Sequence, residues 1–201
     1  MARARLVVDM TSLGYMLAGD LRSYLQASRE GVVNSLEGLA EYDVRRPLVS
    51  SGTNLLGLVK HLVGMELGYL GECVGRRSPI ALPWIDDGSV WQSADMCATR
   101  DQSRGYLLDL YRRAWQHSDE SLAAIPLDAP ASVPWCSEQR RSTTFGRLVA
   151  CVLAETAQHA GHCDIVRELI DGRTGADPVG PNILARIQSA ADVFRPAAAA
   201  P

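Results

Sequence analysis

The sequence has little that would suit a membrane, secreted or nucleic-acid-binding protein. Its apolar runs are short, and the first has only three residues before Asp9, too few for a secretory signal or a bilayer span. Its five cysteines are odd in number and form no CxxC pair, which favours reduced thiols over a disulfide framework. A net charge of −3 offers no basic surface for nucleic acid. We therefore expect a cytoplasmic protein with neither membrane nor nucleic-acid partners.

Strand-like alternation is also missing, and apolar residues recur instead at helical spacing in four segments. With 201 residues and 47% hydrophobic content, these segments can share one core. The sequence predicts an all-α domain of four helices, near residues 20–40, 54–75, 99–124 and 145–170. This domain, residues 19–175, follows an N-terminal arm, residues 1–18. It precedes a C-terminal extension, residues 176–201, that is expected to hold a short helix at 182–194 and a disordered tail.

Capping residues indicate where several of these helices begin or end. Thr53 is the candidate N-cap of the second helix, and Thr99–Gln102 reads as a capping box before the third. Thr143 or Thr144 is expected to cap the fourth helix, which Gly172 should end.

Two long connections, residues 77–98 and 126–142, show no periodic pattern. The first is long enough to carry the chain across the domain, so that the second and third helices run parallel. The connections carry Trp84, Trp91 and Trp135. These tryptophans are candidates for lining a substrate pocket, although packing in a core is the commoner role of an aromatic side chain.

The fourth helix carries polar groups in the middle of an apolar stripe. Positions separated by four and three residues return to one helix face. Here they are Leu148, Val152, Glu155, His159, His162, Val166 and Leu169. Because both ends of the stripe are aliphatic, we expect it to face a core. Burying the three polar groups without partners would cost about 1–3 kcal/mol each, which a bound metal ion would relieve.

A metal site also needs a ligand from another helix, and only two further histidines exist. His61 flanks the apolar seam of the second helix and can point inward, whereas His117 has polar neighbours typical of a solvated surface. Glu155 and His159 are spaced i, i+4, as are the paired histidines of zinc-binding helices. His162 is then either another ligand or an outer group. The competing interpretation is a buried Glu155–His159 hydrogen bond without metal.

Several segments together resemble the DinB-like superfamily, over roughly residues 19–175. They are residues 51–62, 94–96, 110–115, 134–135 and 154–172. The nearest likeness is to its actinobacterial branch, which is related to the mycothiol-dependent maleylpyruvate isomerases. The resemblance implies an up-down-down-up four-helix bundle with a central metal site. It also implies a divalent metal, commonly zinc, held by His61, Glu155 and His159. Close relatives often have histidine where this chain has Cys151.

The resemblance also implies a reaction. Three protein ligands leave a fourth position open, and a thiol that enters it is deprotonated. We therefore expect a metal-dependent thiol S-transferase that uses a low-molecular-weight thiol, mycothiol, on a small electrophilic substrate. His162 is the candidate catalytic residue for proton transfer, and Trp84, Trp91 and Trp135 are the candidate substrate-binding residues.

Other functions remain open on the sequence alone. They are a mycothiol-dependent isomerase, a non-haem iron enzyme built on the same two-histidine, one-carboxylate set, and a non-catalytic bundle in which the metal only joins helices. Zinc is the expected metal, with nickel and iron as alternatives. The sequence identifies neither the electrophile nor the oligomeric state, for which a homodimer is one option.

Overall fold

The computed structural model describes residues 10–175 and 180–195, which are mostly helical. The α-helices there are α1 (Met10–Asn34), α2 (Glu41–Arg45), α3 (Leu55–Tyr69), α4 (Pro83–Asp86), α5 (Arg104–Ala124), α6 (Glu138–Arg141), α7 (Phe145–Asp171) and α8 (Pro181–Asp192). Three 3-10 turns are found at Glu72–Val74, Ser89–Gln92 and Ala94–Met96. The strands β1 (Pro130–Ser132) and β2 (Ser142–Thr144) form one small antiparallel pair. None of the helices in the two described ranges is long and apolar enough to cross a bilayer.

The longest helices, α1 and α7, pack side by side and run in the same direction. Gly31 of α1 faces Ala160 of α7, since a Cβ at Gly31 would lie 3.7 Å from the Ala160 Cβ, an ordinary contact. Further along both helices, Arg167 donates to the Ser35 carbonyl at 2.8 Å. Residue numbers at the contacts therefore increase in the same direction along both helices, so α1 and α7 are parallel.

The other two long helices, α3 and α5, also share a direction. Asn54, just before α3, donates to the carbonyl of Met96, which precedes α5. Near the other ends of the helices, the Ser118 hydroxyl donates to the Glu66 carbonyl at 3.4 Å. The connection between α3 and α5 therefore returns the chain to the same end of the molecule.

The apolar stripe of α7 faces the core over most of its length. Leu148, Val152 and Val166 are at most 4% exposed. Leu169, which was expected to be buried, is instead 57% exposed. The apolar stripe of α7 therefore faces solvent at its last position.

The first helix is longer than expected at its start. It begins at Met10, so residues 10–18 are helical and not an arm of undefined structure. The leucine spacing of 13, 17, 21 and 25 already continued the helical period into this region. The helix ends at Asn34, six residues before the predicted end at Ala40. Residues 1–9, the rest of the predicted arm, lie outside the described residues.

Two of the predicted caps are wrong by one or a few residues. The N-cap of α3 is Asn54 and not Thr53, because the Asn54 carboxamide oxygen accepts from the Gly57 N–H at 2.7 Å. Gln102 does accept from the Thr99 N–H, but this bond closes a turn. The helix α5 starts after Ser103, whose hydroxyl accepts from Tyr106 N–H.

The second helix, predicted to reach residue 75, ends at Tyr69, where a separate 3-10 turn follows, whereas two other predicted ends agree closely with the structure. Gly172 has the left-handed backbone conformation, with φ 76°, at the C-cap of α7. The short C-terminal helix, expected at 182–194, is α8 at Pro181–Asp192. The disordered tail was expected beyond it, and residues 196–201 lie outside the described residues.

Candidate metal centre

The structure brings His61 of α3 together with Glu155 and His159 of α7. One oxygen, Glu155 Oε1, lies 3.4 Å from His61 Nε2 and 3.1 Å from His159 Nε2. One ligand atom from each of the three residues can be chosen so that all lie within 4.8 Å of one another. The two imidazole rings meet edge to face, with centroids 5.2 Å apart. Both Nε2 atoms thus converge on one carboxylate oxygen.

A fourth residue, Asp95, contacts His61 at the ring nitrogen that points away from the cluster. It lies in the 3-10 turn Ala94–Met96, and its Oδ2 is 2.7 Å from His61 Nδ1. A carboxylate on the outer ring nitrogen fixes the tautomer that leaves Nε2 free for a metal. The sequence pattern did not predict a role for Asp95, because no local spacing connects it with a histidine 34 residues earlier. The available signal was its place in the segment 94–96, which carries the family resemblance.

His162 lies behind His159. The two Nδ1 atoms are 3.2 Å apart, a distance at which one ring donates a hydrogen bond to the other, with the direction set by their tautomers. His162 is half-buried and is not part of the lining of the cavity beside His61. His162 therefore contacts His159 but not that cavity.

The electrostatic environments of the two clustered histidines differ. Burial lowers the pKa of His61, but the hydrogen bond and charge of Asp95, helped by Glu155, raise it above the ordinary value overall. For His159, burial and the neighbouring His61 lower the pKa, and Glu155 offsets this only in part. Burial raises the pKa of Asp95, but the bond to His61 brings it below its usual range. His159 is therefore the histidine that more readily remains neutral.

A cavity of about 300 Å³ opens beside His61. It lies between α3 and the connection that follows, and its lining includes Trp84, Trp91 and Trp135. Trp84 is 3% exposed, whereas Trp91, which also lines the cavity, is 74% exposed. All three tryptophans that the sequence singled out thus line one cavity, which also reaches Asp95.

Two other candidates from the sequence lie apart from the cluster. His117 is not on a solvated surface as expected, because its Nε2 contacts the Arg76 carbonyl oxygen at 2.6 Å. Cys151, one turn before Glu155, is exposed and is not among the clustered ligand atoms. His117 therefore has a structural partner of its own.

The donor set suits a divalent metal of the zinc type. Two imidazole nitrogens and one carboxylate oxygen are ligands that zinc accepts, and three protein ligands leave one position for a substrate atom. The contact of Asp95 with the outer nitrogen of His61 matches the usual support of a ligating histidine. A simple buried hydrogen bond between Glu155 and His159 would require neither His61 nor Asp95.

The comparisons with known proteins identify the family of this chain. The family model described as mycothiol-S-transferase matches residues 20–172, well over half of the chain. None of the curated proteins is significantly similar to it. The matched region contains α3, α5, α7 and each residue of the cluster, so the resemblance to the DinB-like superfamily is confirmed. The chain belongs to the mycothiol-S-transferase family, a member of the DinB-like superfamily.

Proposed function

We propose that this protein is a divalent-metal-dependent mycothiol S-transferase whose long helices form an up-down-down-up four-helix bundle. The family supports the transferase activity and the thiol. The convergence of His61, Glu155 and His159 on one point is the observation that carries the metal dependence. The shared directions of α1 with α7, and of α3 with α5, support the bundle. We place the activity in the cytoplasm, where a small thiol is kept reduced.

In this proposal His61 Nε2, Glu155 and His159 Nε2 hold the metal, with zinc preferred over nickel or iron. When bound, the ion supplies a site at which a thiol is present as thiolate at neutral pH. Asp95 holds the Nδ1 proton of His61 and so keeps Nε2 available. His162 Nδ1 accepts a hydrogen bond from the Nδ1–H of His159 and so keeps Nε2 of His159 available for the metal. This is the role we propose for the candidate catalytic residue His162.

The cavity beside His61 binds the electrophile in this proposal. Its walls are mostly apolar, with Trp84, Trp91 and Trp135 among them, although four charged side chains also line it. Such walls favour an apolar or aromatic acceptor over a highly charged one. The thiol sulfur forms a bond to the electrophilic carbon, and the leaving group or opened ring takes the electron pair. Placement of the cavity next to His61 brings the two reactants together.

Removal of the metal is expected to abolish this transfer. The test incubates the protein with mycothiol and monochlorobimane, an apolar alkyl chloride whose thioether product is fluorescent. Protein stripped with a chelator should lose the enzymatic rate above background, and a stoichiometric addition of Zn²⁺ should restore it. Equal rates before and after stripping, with metal loss verified, would exclude a metal-dependent reaction. Conversion of an isomerisable substrate without any thioether would favour the isomerase instead.

Replacing Trp91 with alanine is expected to weaken binding of the electrophile without unfolding the protein. Because Trp91 is 74% exposed, its loss should change stability little. The KM for the electrophile should rise about 3- to 10-fold, equivalent to ~0.7–1.4 kcal/mol, with kcat nearly unchanged. Tyr24→Ala, an exposed aromatic on α1, is the matched control. If both variants keep the same KM, Trp91 is not part of the binding site.

A further inference from the structure

A buried lysine, Lys60, precedes His61 in the sequence and is held by backbone carbonyls. Lys60 is 2% exposed, and within the described residues no carboxylate oxygen lies within 4.0 Å of its ammonium. Its Nζ donates instead to the carbonyls of Ala94, at 2.6 Å, and Cys97, at 2.8 Å. The ring of Trp84 lies below it, 4.5 Å from Nζ to the centroid. A buried ammonium is tolerated only with such partners, so Lys60 ties the two carbonyls to α3.

The same turn is held at a second point. The Asn54 amide donates to the Met96 carbonyl at 3.1 Å while its oxygen caps α3. A Cβ on Gly57 would overlap this Met96 oxygen, so the close approach requires glycine there. Asn54, Gly57 and His61 are spaced i, i+3 and i+7, which places them along one side of α3. That side thus carries one anchor of the turn, the close approach at Gly57 and the imidazole.

These anchors enclose Asp95. The carbonyl before Asp95 is held by Lys60, and the carbonyls of the two residues after it are held by Asn54 and Lys60. The aspartate therefore projects from a segment fixed to the helix that also carries His61. Any change in how the turn sits on α3 must alter the 2.7 Å contact between the carboxylate and His61 Nδ1.

We propose that Lys60 is a positioning residue for the metal ligand His61, acting through the turn 94–97 and Asp95, with Gly57 providing the space. The part concerning metal affinity rests on the proposed function, whereas the control of Asp95 over the His61 tautomer does not. Lys60 touches neither thiol nor electrophile in this role. Its effect is on the orientation and proton placement of one imidazole.

The first test compares Zn²⁺ affinities of wild type, Lys60→Met, Asp95→Asn and the double variant by competition with a chromophoric chelator. Loss of an outer-shell partner usually costs about 10- to 100-fold in metal affinity. We expect each single variant to fall in this range. The double variant should bind no more weakly than Asp95→Asn alone, because both substitutions remove the same support. Effects that multiply, or a Lys60→Met affinity within twofold of wild type, would overturn the proposal.

The second test uses metal-free protein, so that it does not depend on the proposed function. In wild type, nuclear magnetic resonance should show the His61 Nδ1–H as a downfield, slowly exchanging proton, because it donates to Asp95. Lys60→Met should shift this resonance or broaden it by exchange, and Gly57→Ala should do the same by displacing Met96. Gly19→Ala, a helical site in α1 with nothing within 4 Å of the added Cβ, is the control.

Together, the two tests distinguish failure of the positioning role of Lys60 from failure of the proposed function. If wild type binds no metal but the resonance responds to Lys60→Met and Gly57→Ala, the positioning role stands and the proposed function fails. If wild type binds zinc but the folded Lys60→Met protein retains an unchanged resonance, the positioning role is wrong and the proposed function is unaffected. Should Lys60→Met fail to fold, the Gly57→Ala spectrum decides, and an unchanged resonance there counts against the proposal.

Discussion

Glu155→Ala is expected to remove stoichiometric metal from the purified protein. The carboxylate lies between the two imidazoles, and its Oε1 is 3.4 Å from His61 Nε2 and 3.1 Å from His159 Nε2. Without it, two neutral donors on different helices remain, and neither supplies negative charge to offset the cation. Because the loss of an outer-shell group already costs about 10- to 100-fold in affinity, the loss of a ligand should cost more than ~100-fold.

Metal analysis of wild type beside Glu155→Ala decides this prediction. Glu168→Ala is the matched control, since Glu168 is an exposed glutamate on the same helix and is not in the cluster. It should retain the wild-type metal content. Equal metal in wild type and Glu155→Ala would mean that the proposed site is wrong. The same measurement identifies the metal, and iron together with oxygen consumption would favour the non-haem iron alternative.

The half of the site on α7 could be predicted from sequence because helical geometry relates its members directly. Glu155 and His159 are one turn apart, so any continuous helix brings them to the same face. His61 could be proposed only as one of two remaining histidines, since its meeting with α7 depends on how α3 packs. The contact of Asp95 with His61 could not be predicted from helical spacing. It depends on a turn whose position is determined by contacts of its backbone with α3.

The limits of the fold prediction have a similar cause. The helical period identifies a face, but not how far a neighbouring helix covers it. Leu169 continues the stripe of α7 yet remains exposed. The observed helix ends differ from the predicted ones where a neighbouring residue provides the cap, as Asn54 does for α3. Local propensity alone does not decide between adjacent polar residues.

Two other helices also carry a charged residue within an apolar stripe. Arg29 lies four residues after Leu25 and three before Val32, and it therefore interrupts the apolar stripe of α1. Glu66 lies four residues after Leu62 and does the same on α3. These are polar groups in apolar stripes, as in α7. In the structure they form a buried ion pair with each other, which shows that the pattern alone does not distinguish a metal ligand from a paired charge.

Arg29→Met is expected to be the most destabilising substitution proposed for this protein. The Arg29 guanidinium donates from Nε and Nη2 to the two oxygens of Glu66, each at 2.7 Å, and from Nη1 to Asp119 at 2.9 Å. Both Arg29 and Glu66 are 0% exposed. Removing the cation leaves the Glu66 carboxylate buried without its charge partner. Breaking a buried pair in this way costs about 3–5 kcal/mol of the free energy of unfolding.

The measurement is urea unfolding monitored by circular dichroism. Arg22→Met is the matched control, because Arg22 pairs with Asp119 at 3.0 Å but its side chain is 53% exposed, so the expected loss is only about 0–1 kcal/mol. The double variant Arg29→Met, Glu66→Met removes both buried charges and should recover much of the lost stability. If the double variant is as unstable as Arg29→Met, the lost packing of Arg29 against Trp115 matters more than the orphaned carboxylate. If Arg29→Met itself loses less than about 1 kcal/mol, the ion pair contributes little to the packing of α1, α3 and α5.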